Sequence, residues 1–141
     1  MNQSALFGPF FAMMILTLIV WLYMYARRIT FLNGQDIEPN ALTPARLAEI
    51  SPPAVANPSD NLKNLFELPV IFYALVLFLE LRGEADGSHV AAAWTFVFFR
   101  VLHSAVHCTI NIVMLRFLAY FAASLVLWFM LARVLLDAAG H

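Results

Sequence analysis

Residues 99–120 read FRVLHSAVHCTINIVMLRFLAY, which places Arg100, His103, His107 and Asn111 inside an otherwise lipid-like run. At helical spacing these four positions form one polar stripe on one face. The flanks on both sides, residues 94–99 and 117–128, are strongly apolar. A charged group at membrane depth costs at least ~2.5 kcal/mol, so it faces the bundle interior and a partner rather than lipid. What the stripe faces therefore decides both fold and function.

Hydrophobic residues make up 62% of the chain and charged residues 12%, against about 25% charged in ordinary soluble domains. This is the composition of a polytopic membrane protein with a single domain, residues 1–141, and no room for a separate soluble enzyme. The net charge of −1 gives no basis for nucleic-acid binding. The single cysteine, Cys108, excludes an intramolecular disulfide. The N-terminal residues carry no basic segment and precede a run long enough to span, which predicts a retained helix rather than a signal peptide.

A helix needs ~20 apolar residues to cross the hydrocarbon. The runs that satisfy this are residues 7–25, 58–81, 90–114 and 117–136, with one long polar loop at 26–57. Pro9 falls in the first turn of span one, where its missing N–H is tolerated. Trp21, Tyr23 and Tyr25 suit the interface belt, and Arg27 and Arg28 are expected to end that span. The loop holds a short helical candidate, Pro44 to Ile50. Asn57 as N-cap and Pro58 at the first helical position are expected to start span two, and Pro69 to kink it. The short turn at residues 82–88 makes spans two and three antiparallel neighbours. Arg27, Arg28, Arg46 and Lys63 on the first loop and Arg116 on the third predict that both face the cytoplasm, with both termini outside.

Asp60, Asn64 and Glu67 form a second stripe on span two, with Lys63 four residues before Glu67 and able to pair with it. Straight antiparallel helices would set Glu67 level with His103 and close to Arg100, Asn64 level with His107, and Asp60 level with Asn111. The two stripes then make one polar seam, with Arg116 and Tyr120 at its mouth. A purely structural reading is open: a Glu67–Arg100 ion pair that fixes helix register. So is a metal or haem site on His103 and His107, with Cys108 as a soft neighbour.

Four spans, a long first loop, an N-x-x-E at Asn64 to Glu67 and an R-x-x-H-[ST] at Arg100 to Ser104 together resemble the MAPEG family. These are the membrane-associated proteins of eicosanoid and glutathione metabolism, and the NLFELPV-type second span is similar to bacterial members. The resemblance implies an all-α integral membrane protein, a four-helix bundle assembling as a homotrimer in a bacterial inner membrane among lipids. It implies glutathione bound between neighbouring subunits on the cytoplasmic side, with its thiol activated toward an apolar small-molecule substrate. Asn64 and Glu67 match the family's glutathione-binding pair, and Arg100 and His103 match its span-three motif. Arg116 stands at the arginine credited with thiolate stabilisation. Tyr120 stands where the family's prostaglandin synthase has a tyrosine near the ligand, and His107 where it has another tyrosine. A free thiol has a pKa near ~8.5, so a neighbouring guanidinium is what favours the thiolate at neutral pH. The chain departs from the family where arginines clamp the glutathione carboxylates: those places hold Asp60 and Lys63, and Leu62 replaces a histidine. The expected function is a thiol-dependent transferase or peroxidase with Arg116 as the catalytic residue. The alternative is a non-enzymatic structural, lipid-binding or auxiliary subunit.

Overall fold

A computed structural model describes residues 5–139, and every regular element among them is helical. Helix α1 runs Phe7–Asn33, a 3-10 turn covers Pro39–Ala41, and α2 covers Pro44–Ile50. Then come α3 (Pro53–Asn64), α4 (Leu68–Arg82), α5 (Gly87–Cys108) and α6 (Val113–Ala139). Four helical segments are long and apolar enough to cross a membrane: α1, α3 with α4, α5, and α6. The C-terminal tail expected from Asp137 is helical through Ala139, and residues 140–141 lie outside the described residues.

In α1 one narrow face is buried, Pro9, Met13, Leu16, Val20 and Met24, and large apolar side chains such as Phe11, Ile15, Leu18, Ile19 and Leu22 are exposed on the others. That asymmetry suits a helix with one face on the bundle and the others on lipid. A Cβ on Gly8 would lie 3.0 Å from the Trp94 ring, so any larger residue here would press on the indole. Contrary to expectation, Arg27 and Arg28 do not end the helix. They tie its last turns to α3: Arg28 Nη2 donates to Ser59 Oγ at 3.0 Å, and Arg27 Nε to the Ala54 carbonyl at 3.3 Å.

The second bond explains another correction. Helix α3 begins at Pro53, with Pro52 as N-cap, and Pro58 lies inside it rather than at its start. Pro58 has no N–H, which frees the carbonyl four residues back, that of Ala54. Arg27 fills the vacancy from another helix. The short loop helix begins as expected: Thr43 Oγ1 accepts the Arg46 N–H at 3.2 Å, and Pro44 takes the first turn.

Pro69 produces a full break rather than a kink. Residues 65–67 are non-helical, and Glu67 sits at φ −98, ψ −106. The second span therefore divides its packing. Its α3 half lies on α1 and α5, and its α4 half on α6 and α1. Spans two and three still meet in the apolar half, where Phe72 and Phe96 stack with centroids 4.6 Å apart. The core there is Met13, Phe72, Val76, Ala93, Phe96, Leu127 and Met130.

Gly83, at φ +66, closes α4 in the left-handed conformation that only glycine adopts freely. Asp86 then caps α5, accepting the His89 N–H at 2.9 Å. Helix α5 stops at Cys108, six residues short of the expected Met114. Asn111 adopts φ +46 in a tight turn, its N–H bonded to the Val106 carbonyl at 2.7 Å. Helix α6 begins at Val113, so Arg116 belongs to its first turn.

Candidate functional site

The α5 stripe is buried as expected over Arg100, His103 and His107, which are 0%, 2% and 4% exposed. Asn111 leaves it because the helix has ended. Its side chain instead accepts a hydrogen bond from Arg116 Nη1.

The second stripe is corrected. Asp60 and Glu67 are exposed and Asn64 is half-buried. Lys63 pairs back with Asp60 at 2.9 Å instead of forward with Glu67, because α3 ends at Asn64 and Glu67 is no longer one turn along the same helix. The expected Glu67–Arg100 ion pair is not formed. The residue of α3 that turns inward is Asn61, 0% exposed. Ser104 Oγ donates to Asn61 Oδ1 at 3.3 Å, and Asn61 Nδ2 donates to Cys108 Sγ at 3.5 Å. Sequence reasoning followed the charges of span two. The signal for Asn61 was its place on the apolar face shared by Val55, Pro58 and Leu65, all buried.

Arg100 reaches the helix break. Asn64 would lend its carbonyl to Leu68 in a continuous helix. At the break it accepts the Glu67 N–H at 3.4 Å instead, and Arg100 Nη2 also donates to it at 3.1 Å. The guanidinium lies over the Tyr120 ring, 5.5 Å from the centroid, a cation–π contact. The Nε and Nη1 atoms of Arg100 are buried without a hydrogen-bond partner among the described residues. So are His103 Nε2 and His107 Nδ1.

His103 is held from the other side. Its Nδ1 lies 3.0 Å from the carbonyl oxygen of Arg116, and its ring is 5.7 Å from that of Tyr120 and 5.5 Å from that of His107. Tyr120, half-buried, thus touches both Arg100 and His103. Among the described residues no group of three or more His, Cys, Asp or Glu side chains is placed to hold a metal ion.

Two clefts open at the same end of the bundle. One of about 600 Å3 is lined by Tyr23, Arg27, Asn57, Cys108 and Asn111. The other, about 420 Å3, lies between α2 and the ends of α1 and α3, with Arg28, Ser59, Asp60 and Lys63 on its wall.

Arg100, His103 and His107 thus bring four buried, unpartnered nitrogens together on one face of α5. No curated protein and no solved structure matches the chain. The sequence profile of the MAPEG family matches residues 6–136. Four membrane-crossing helices and a match over nearly the whole length place it: the chain is an integral membrane protein that belongs to the MAPEG family.

Proposed function

We propose that the protein is a glutathione-dependent transferase or peroxidase acting on apolar electrophiles, at a site formed between neighbouring copies of a homotrimer. The observation that carries this reading is Arg100. It is fully buried, bonded once to a backbone carbonyl, and left with two unpartnered nitrogens. Each unsatisfied buried donor costs about 1–3 kcal/mol, more for a charged group. An arginine kept only as structural glue has its donors filled. Orphaned donors of this kind point to a ligand that supplies acceptors.

Glutathione fits that requirement: it brings carboxylates for an arginine, and a thiol for the chemistry. Arg100 binds, with His103 and His107 beside it and Tyr120 closing over the pair. Asn64 and Glu67, on the outward side of the helix break, are placed for a ligand or a neighbouring copy to touch. Arg116, half-buried at the start of α6, stabilises the developing thiolate. The Lys and Arg residues gathered at this end orient it to the cytoplasm of a bacterial inner membrane.

One observation favours the second reading, a non-enzymatic auxiliary subunit. Lys63, the basic residue left where the family has its carboxylate clamp, is already paired with Asp60. Calorimetric titration of glutathione into the nanodisc-embedded protein, with a conjugation rate on an apolar aryl halide, separates the two. Saturable heat together with turnover is the result expected of the enzyme. Neither heat nor turnover leaves the auxiliary subunit.

A further inference from the structure

We infer that the cleft of about 600 Å3 between α1, α3 and the α5–α6 turn holds the phosphate of an anionic phospholipid, with Arg27 as its cation. This site is separate from the Arg100 stripe and does not rest on the thiol reading. It follows from how the chain places Arg27. Pro58 has no N–H, so the Ala54 carbonyl is left free within α3. Arg27 Nε donates to it at 3.3 Å, and both residues line the cleft. That bond uses one of the five guanidinium hydrogens. Among the described residues no carboxylate pairs with Arg27. A guanidinium anchored through Nε, with no carboxylate on its terminal amino groups, matches a phosphate, which accepts two such donors side by side.

The rest of the wall agrees with an anion. Asn57 and Asn111 bring amide groups and Tyr23 a phenol, and no acidic side chain among the described residues lines the cleft. Asn111 gives its side-chain oxygen to Arg116, which leaves its NH2 to donate. The other cleft differs on this point, because Asp60 stands on its wall and would repel an anion. Depth then selects a lipid over a soluble ion. The cleft lies where the spanning helix α5 ends at Cys108, and Tyr23 belongs to the aromatic belt of α1. Ile110 lines it, and Ile112, Val113 and Met114 continue from it, all four exposed. An apolar strip beside a cationic cleft fits acyl chains joined to a phosphate. A zwitterionic headgroup would add an ammonium, and the cleft offers no carboxylate to take it.

The single cysteine reports occupancy. Cys108 is half-buried on the cleft wall and is the chain's one thiol, so alkylation is read at that place alone. The protein is placed in nanodiscs of phosphatidylcholine, with or without phosphatidylglycerol, and its modification by the neutral reagent N-ethylmaleimide is timed. A filled cleft shields the thiol, so labelling is several-fold slower with phosphatidylglycerol. An anionic surface also slows a thiol reaction by itself, by drawing protons to it. Two variants separate the effects. Arg27→Gln loses roughly tenfold in lipid affinity, the factor of a charge-assisted contact, and its rates in the two discs converge. Asn57→Leu keeps the charge and removes a donor, so it brings the rates partly together, and it serves alone if Arg27→Gln does not fold. Equal rates in the two discs for the unmodified protein overturn the proposal, and so does a slowing that either folded variant retains in full. No labelling in phosphatidylcholine overturns it as well, since the cleft is then closed. Free glycerol phosphate added to phosphatidylcholine discs leaves the rate unchanged. Protection as strong as the lipid's would overturn the lipid assignment and give the cleft to a soluble phosphate.

Discussion

Arg100 donates to the carbonyl oxygen of Asn64 at 3.1 Å, at the point where the second span breaks and that carbonyl is shared with the Glu67 N–H instead of the N–H of Leu68. The break thus does two things at once. It gives the buried arginine its one acceptor, and it turns Glu67 outward, away from an ion pair with that arginine.

The first prediction follows from that geometry. Glu67→Gln and Arg100→Gln, combined in a double-mutant cycle on thermal unfolding, couple by less than about 1 kcal/mol, the level of an exposed pair. Coupling of about 3–5 kcal/mol, as for a buried pair with one partner removed, would show that the two charges meet.

Asn61 and Ser104 are the pair that does meet across α3 and α5. Interhelical polar contacts in membranes average about 0.6 kcal/mol and reach about 1.7. Asn61→Leu and Ser104→Ala should therefore couple within that range in a cycle on unfolding in detergent. Strictly additive effects would exclude the contact.

The four membrane-length apolar runs and the burial of Arg100, His103 and His107 were legible because lipid leaves so few choices. An apolar run must close its own backbone bonds as a helix, and a polar stripe at helical spacing must turn inward. What was not legible depended on partners distant in sequence. Pro58 reads as a helix start, yet it lies inside α3 because Arg27 of α1 takes the carbonyl it frees. Asn111 continues the helical period, but periodicity carries no stop signal, and the chain leaves the helix at Cys108. The Glu67–Arg100 match assumed unbroken helices. Three non-helical residues at 65–67 end that alignment and leave Asn61, not Asp60 or Glu67, as the inward polar residue.

Acid exposes a contact at the opposite end of the bundle. The Asp86 carboxyl is lowered from 3.8 to about 2, chiefly by the His89 backbone N–H and then by Arg133, 2.9 Å away. A carboxyl depressed on folding stabilises the protein above its unfolded value and loses that contribution as pH falls toward its folded value. Thermal stability should therefore drop from about pH 4 to about pH 2. Asp86→Asn, which still caps α5 but cannot ionise, should lack that component of the drop. The check is the difference between the two unfolding curves across the acid range. Parallel curves would mean that the Asp86 carboxyl is not depressed on folding.

In the proposed function a ligand fills the free donors of Arg100, and Arg100→Met separates that from a structural role. The measurement is the shift in unfolding temperature on adding saturating glutathione, in the unmodified protein and in Arg100→Met. Methionine removes an incompletely paired charge, so the ligand-free variant should unfold no lower than the unmodified protein. Losing a charge-assisted contact of about 1.5–3 kcal/mol weakens binding roughly tenfold or more, and the glutathione-induced shift should largely disappear. A variant that unfolds at lower temperature yet keeps the full glutathione shift would contradict this, and would make Arg100 a structural residue.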